Sequence, residues 1–500
     1  MEKIALISSP GWAQSRIVPH ALIELSAYIE GKGIPVHLVD VKRDPFAFLT
    51  NNDVNGVMNE ILGKLSSIKP EYIGLSVFTV DYWKCRELAS RIKEKFNAKI
   101  IVGGIHPTLK PEDFFFKGSP FDIIAIGEGE DTLYEILSGK PLQDINGIAF
   151  LKNGSIVRTP SRSFIKDLSV LPRPSYEKLD MEFYLEAQRD IIRTLVISGV
   201  HILTGRGCPY QCTFCATRIL YESQGLAPIL RHRPVKNVIT NLKWLRDNYF
   251  IDAFNIYDDT FTLPREKAKE FCAQYKSSGL DMPWAAQTRV NLVDDDLIAE
   301  LKTAGCVQLD FGVESGSDEA LSRMKKGTTS HDARNAFKLC RKHGLRTFAN
   351  IMFNTPGETE DDVKKTLSLM KDLKASHYGI ALTMPLPGTK IFEDYIGDKL
   401  TKEEYVLFST PCLFQKIVDP RFRLASHSLD IDKLYMKVNL RYYLLNSFFE
   451  MTFGLWYWKS FFSSKRKSSY FRSFFKYIIK QIKVYIRAMI SLFENSKAQS

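Results

Sequence analysis

The chain has 500 residues, 45% hydrophobic and 25% charged, a composition that excludes a disordered or fibrous protein and allows two or three domains. Its formal charge of +11 is uneven: Leu440 to Ser500 holds eleven Lys and Arg against Glu450 and Glu494, so the first 439 residues carry only +2. A near-neutral body argues against nucleic acid as partner, and a basic aromatic tail points first to an anionic surface.

From Lys3 to about Leu137, apolar runs at Ile4–Ile7, Val36–Val41, Tyr72–Phe78, Lys99–Gly104 and Ile123–Gly127 alternate with helix-like stretches. This is the rhythm of a doubly wound, Rossmann-like parallel α/β sheet. Ligands of such sheets sit at the strand ends, which here read SSPG (Ser8–Gly11), SVFT (Ser76–Thr79), GGIHPT (Gly103–Thr108) and GEGE (Gly127–Glu130). Small residues there leave room for something bulky, while any one glycine serves a tight turn equally well. The following stretch contains Pro141, Pro160, Pro172 and Pro174 with little periodicity and reads as a wrapping linker. Strands are then predicted near His201, Phe254, Ala285, Gln308, Thr347 and Gly379, separated by helical patterns such as Val235–Asn248 and Asp361–Leu373. That succession predicts a partial TIM-type barrel with its chemistry at the C-terminal strand ends. The expected organisation is a first domain over 1–139, a linker over 140–190, the barrel over 191–395, a helical region over 396–463 and a basic amphipathic helix over 464–500.

Eight cysteines, three packed into Cys208–Cys215 and five scattered singly, do not make a disulfide framework. MEKIALISSPGW lacks the regions of a secretory signal, so a reducing cytoplasm is the expected setting. The segment TGRGCPYQCTFC, Thr204 to Cys215, places Cys208, Cys212 and Cys215 directly after the first barrel strand. Three thiolates within eight residues can wrap one soft metal centre. A structural zinc site wants four protein ligands, whereas a cluster held by three leaves one iron open; zinc completed by a distant His or Cys stays the alternative. Cys85, Cys272, Cys306 and Cys340 read as small hydrophobes, and His106, His331 and His377 as structural histidines.

With Phe214 just before the third cysteine, the loop resembles that of the radical S-adenosylmethionine (SAM) superfamily. The resemblance continues through IYDDTF (Ile256–Phe261), AQTRVN (Ala286–Asn291), GVESGS (Gly312–Ser317), NTPGET (Asn354–Thr359) and PLPGTKIFE (Pro385–Glu393), covering nearly all of Arg193 to Tyr395. It implies a 4Fe-4S cluster whose open iron chelates SAM, one electron from a reducing donor breaking a sulfonium C–S bond to give a 5′-deoxyadenosyl radical. On the same motif order, Asp258 and Asp259 are expected to accept from the SAM ammonium, Arg289 to pair with its carboxylate, Glu314 to accept from ribose hydroxyls, and Ser315 and Gly316 to let the backbone approach.

A doubly wound domain before such a barrel resembles the cobalamin-binding subfamily, with SVF and GGIHP matching its small-residue loops. Ser76, Thr79, Gly103, Gly104, Gly127 and Glu128 are then expected to line the corrinoid site. The hexapeptide D-x-H-x-x-G of histidine-ligated corrinoid proteins is absent, so no histidine is expected beneath cobalt; His20, after Pro19, sits in a helix-start context. A domain that binds nothing is the competing reading.

In the tail, Arg472, Lys476, Lys480, Lys483 and Arg487 form one helical stripe beside Phe471, Phe474, Phe475, Ile478 and Ile479. That is the pattern of an interfacial helix, and a chain ending at Ser463 is expected to stay folded; packing of the same helix on the barrel is the alternative. The combined expectation is a cytoplasmic enzyme, peripheral on the membrane, that methylates an unactivated carbon of a hydrophobic substrate such as a lipid or tetrapyrrole. Radical oxidation or ring closure without methylation, as in the anaerobic magnesium-protoporphyrin ester cyclase group, is the second reading. A non-catalytic zinc scaffold is the third.

Overall fold

The computed structural model describes residues 4–11, 16–43, 53–410, 415–444 and 455–479. Its first unit is a seven-stranded sheet. Five parallel strands, β1 (Ile4–Ile7), β2 (Val36–Val39), β3 (Tyr72–Ser76), β4 (Lys99–Gly103) and β5 (Ile123–Ala125), are extended by an antiparallel hairpin, β6 (Ile148–Lys152) and β7 (Ser155–Arg158), in the order β2-β1-β3-β4-β5-β6-β7. The strands read as unbroken apolar runs because both faces are covered. Ile4 and Leu6 face one core with helices His20–Gly31 and Glu130–Leu137. Ala5 and Ile7 face another with helices Val54–Ile68 and Tyr82–Lys95. The proline-rich stretch read as linker thus supplies the two antiparallel strands.

The second unit is a six-stranded parallel sheet, β8 (Gly199–Ile202), β11 (Ala253–Ile256), β12 (Trp284–Arg289), β13 (Cys306–Glu314), β14 (Arg346–Phe353) and β15 (His377–Leu382), neighbours in chain order. Each strand lies where the sequence places one. Between β8 and β11 a two-residue ladder pairs β9 (Gly205–Arg206) with β10 (Arg231–His232). The curled sheet is half a barrel. Val200, Ile202, Phe254, Ile256, Leu309, Phe311, Ala349 and Ile351 meet the helices outside. The intervening residues, His201, Asn255, Gln287, Asp310, Phe348 and Asn350, face the lumen, as period-two alternation requires.

The chain beyond the barrel returns to the first unit. Met384, Phe392, Ile396, Leu400, Tyr405, Phe408 and Phe422 complete the core that begins at Ala5 and Ile7. Residues 467–479 form a helix on the N-terminal side of the barrel strands. The Tyr470 hydroxyl receives the Ser198 N–H at 3.1 Å and donates to Asp252 Oδ2 at 2.9 Å, and the Tyr477 hydroxyl receives the Arg189 N–H at 3.2 Å. Tyr470 is fully buried, so this part of the tail packs on the barrel, the alternative to a free interfacial helix. Phe471, Phe475 and Ile479 remain exposed on the far side. Lys480, Lys483 and Arg487 lie outside the described residues. Among the described residues no helix is long and apolar enough to cross a membrane.

Candidate functional site

The cysteine loop leaves the end of β8 and is tied at both sides before its first thiol. Thr204 donates its N–H to Asp258 Oδ1 at 2.7 Å and its hydroxyl to Oδ2. Asp258 stands just past the end of β11, so two neighbouring strand ends are pinned by one carboxylate. Burial pushes that carboxyl up to about 6 despite the Thr204 bonds. Both of its oxygens thus accept from the loop, each with a lone pair to spare. Asp259 beside it is exposed. Gly207 has φ 97°, and a Cβ there would stand 2.1 Å from the Tyr221 hydroxyl and 2.2 Å from the Ile229 carbonyl, so this turn requires glycine.

Cys208 and Cys215 are partly buried and Cys212 is buried, all three as free thiols. Burial pushes the Cys208 thiol up to about 11, with the Asp259 carboxylate acting in the same direction. Binding to iron would have to offset that preference for the neutral thiol. Arg289, expected to meet a SAM carboxylate, lies against the cysteine loop. Its Nη1 lies 3.6 Å from Cys212 Sγ, its Nη2 donates to the Lys326 carbonyl, and its plane covers the Tyr210 ring at 3.7 Å. Glu314, at φ 66°, pairs with Lys326 Nζ at 2.8 Å, and the same ammonium stands 5.9 Å from the Phe214 ring centre. Lys326 was missed in the sequence because it lies in a helix-to-helix turn outside every motif. Ser315 Oγ meets Thr366 Oγ1 at 3.1 Å. A Cβ at Gly316 would come within 2.4 Å of the Lys365 carbonyl, so close packing on helix Glu360–Leu373 requires glycine here.

A closed structural zinc site takes four protein ligands, and the Thr204–Cys215 loop supplies three thiols. Three thiols on one loop with an arginine against one sulfur fit an anionic iron–sulfur cluster with one open iron.

In the first unit a slot of about 270 Å³ opens among Leu6, Gly74, Ser76, Gly103, Gly104 and Gly127, with Leu203 and Arg206 of the barrel as part of its wall. A Cβ at Gly104, φ 105°, would meet Val77 N at 3.0 Å and Ser76 Oγ at 3.1 Å. The small residues that line this slot would admit part of a corrinoid. Thr79 is not on this wall: its hydroxyl is 2.9 Å from His106 Nδ1. Glu128 is on the wall but committed. It meets Arg206 at 3.0 Å and Arg231 at 2.9 Å, and Arg206 also reaches Glu24 and, at 2.6 Å, Glu130. Arg233 closes the group on Glu24 at 3.1 Å. His20 lines a separate cavity with Tyr176 and Arg233, and burial of its ring nitrogens pushes the imidazole down to about 4.

The family model described as the Radical SAM superfamily matches residues 202–370, and that of the B12 binding domain matches residues 13–137. The chain belongs to the cobalamin-dependent radical SAM enzymes. An uncharacterized methyltransferase of Pyrococcus horikoshii is 29% identical over 394 residues, 77% of this chain and 81% of that protein. The anaerobic magnesium-protoporphyrin IX monomethyl ester cyclase of Rubrivivax gelatinosus is 26% identical over 68% of this chain, which spans 61% of the cyclase. The radical SAM methyltransferase TsrM of Kitasatospora setae, solved with cobalamin and a 4Fe-4S cluster, shares the fold at a TM-score of 0.65 and 20% identity, covering 80% of this chain and 78% of its own. The enzyme's cofactors are accordingly a 4Fe-4S cluster, SAM and cobalamin.

Proposed function

We propose that this enzyme transfers a methyl group to an unactivated carbon of a small-molecule substrate held in the half-barrel. The supporting observation is Arg206, which walls the corrinoid slot and stands two residues before Cys208, so one ionic group links the sites of both cofactors. When bound, the cluster with SAM supplies radical chemistry and the corrinoid a transferable methyl group. The chain's own part is positional. Thr204 and Asp258 fix the start of the cluster loop, Arg289 places a cation against Cys212, and the Arg206 group holds the first sheet over the barrel mouth. Asp259, beside Cys208 and Cys215, is a carboxylate that can accept from a SAM ammonium. Anaerobic reconstitution with SAM, hydroxocobalamin, a one-electron reductant and lipid or tetrapyrrole extracts tests the reading. A product heavier by one CH2 unit supports it, and a product that has lost hydrogen without gaining carbon favours oxidative cyclisation, the reaction class suggested by the cyclase relative.

The reading extends to the enzyme's surroundings. Exposed Phe462, Phe471, Phe475 and Ile479, together with the basic stripe beginning at Arg472 and Lys476, support peripheral contact with an anionic membrane on the cytoplasmic side. A hydrophobic or amphiphilic substrate would reach the enzyme there. Sedimentation with anionic vesicles, compared with neutral ones, tests this part.

A further inference from the structure

The lumen of the half-barrel is polar at its floor. A cavity of about 260 Å³ is lined by Arg189, Asp190, Arg193, His201, Tyr257 and Phe348, among others. Arg346 adjoins it through its bond to Thr194, at 3.0 Å. Arg193 Nε stands 3.1 Å from Asp310, its Nη1 donates to Asn350 at 3.2 Å, and its guanidinium covers Phe348 at 4.6 Å. A guanidinium has five N–H donors, so three remain for the cavity. Three guanidinium groups stand here against the two carboxylates of Asp190 and Asp310. His201 is 1% exposed. Its Nε2 lies 3.0 Å from the Asp190 carbonyl and must donate to it, which makes Nδ1 an acceptor, and Nδ1 has no partner among the described residues. Asn255, the cross-strand neighbour of His201, likewise keeps an unpartnered Oδ1 while its Nδ2 donates to the Ile191 carbonyl. Buried acceptors such as these are costly unless a ligand or water donates to them.

We propose that this floor is a subsite for the charged end of the substrate: an oxyanion, carboxylate or phosphate, held by Arg193 with Arg189 and Arg346 around it, whose neighbouring hydroxyl or ammonium donates to His201 Nδ1. The inference rests on the half-barrel being the reaction chamber. Thr204 stands three positions after His201 along extended chain, so the oxyanion sits on the order of 10 Å below the start of the cluster loop. The carbon attacked is accordingly remote from the charged group, and the body between them passes Tyr257, whose ring is 5.0 Å from His201.

The test uses full-length protein reconstituted with cluster and corrinoid, titrated calorimetrically with inorganic phosphate, acetate and glycolate at constant ionic strength. Saturable binding of phosphate assigns a phosphorylated substrate. Glycolate binding more tightly than acetate assigns a carboxylate with an adjacent hydroxyl, and His201→Phe should erase that preference. Arg193→Gln should weaken the preferred anion tenfold or more, as for loss of a hydrogen bond to a charged group. Because that change also leaves Asp310 buried without its partner, the paired variant R193Q/D310N keeps the net charge of the site unchanged and should fold, by circular dichroism and iron content, yet still fail to bind. No saturable binding of any of the three anions, or equal binding by wild type and R193Q/D310N, overturns the subsite. If methylated product forms while anions fail to bind, the subsite falls and the methyl-transfer reading stands.

Discussion

The guanidinium of Arg289 lies between the sulfur of Cys212, 3.6 Å away, and the face of Tyr210. A cation donating to a cluster thiolate stabilises the more negative, reduced state, so it raises the reduction potential. Arg289→Gln should leave the iron content near wild type and lower the potential by about 60 mV, the one-electron equivalent of about 1.4 kcal/mol. A redox titration followed by electron paramagnetic resonance reads the shift. An unchanged potential would show that Arg289 serves only the Lys326 turn.

Replacing Cys208, Cys212 or Cys215 by Ala should abolish both iron–sulfide content and 5′-deoxyadenosine formation. The fold should survive, because the loop is anchored by Thr204, Asp258 and the β9–β10 ladder rather than by the thiols. A single mutant that cleaves SAM at the wild-type rate would overturn the cluster assignment.

The Arg206 group makes the contact between the two units pH-dependent. Burial alone would raise the Glu24 carboxyl, but Arg206 and Arg233 more than offset it and hold it below the ordinary value of 4.5. Glu128 is held low in the same way, by Arg231 and Arg206 against its burial. Carboxyls whose folded pKa is depressed contribute stability above their unfolded pKa and lose it as pH falls through the folded one. Melting temperature should therefore drop as pH falls below about 4.5. Arg206→Met leaves Glu24 and Glu130 buried with less countercharge and should cost about 3–5 kcal/mol at neutral pH, with a weaker acid dependence. Thermal melts of both proteins between pH 3 and 7 measure this.

Sequence reasoning located all six barrel strands because their outward residues alternate with lumen residues, and it found the cysteine loop because its spacing is short and local. It did not supply the neighbours of Asp258 and Gly316: a strand-end acid or glycine looks the same in sequence whether or not Thr204 donates to it or the Lys365 carbonyl packs against it. The Arg206 group was invisible because its partners Glu24, Glu128 and Glu130 lie 76 to 182 residues away in sequence. In the tail, the regular spacing of basic residues drew attention from Tyr470 and Tyr477, whose hydroxyls bond the backbone beneath the barrel.

Those tyrosines carry the next expectation. Tyr470→Phe strands the Ser198 N–H and leaves Asp252 Oδ2 with only the Ser464 hydroxyl, at a cost of about 1–3 kcal/mol. Truncation after Ser463 should lower the melting temperature further. Phe471→Ser and Phe475→Ser, on the exposed side, should leave the melt unchanged and weaken vesicle sedimentation. A Tyr470→Phe protein as stable as wild type would restore the tail to a purely peripheral role.

The first sheet is made early in translation, yet the core under Ala5 and Ile7 is completed by Phe392, Tyr405, Phe408 and Phe422. At ordinary ribosomal speeds that leaves an apolar face bare for on the order of tens of seconds while the barrel emerges. Chaperone supply during expression should therefore govern the yield of soluble protein, and the chain cannot be divided at the linker into two halves that express independently.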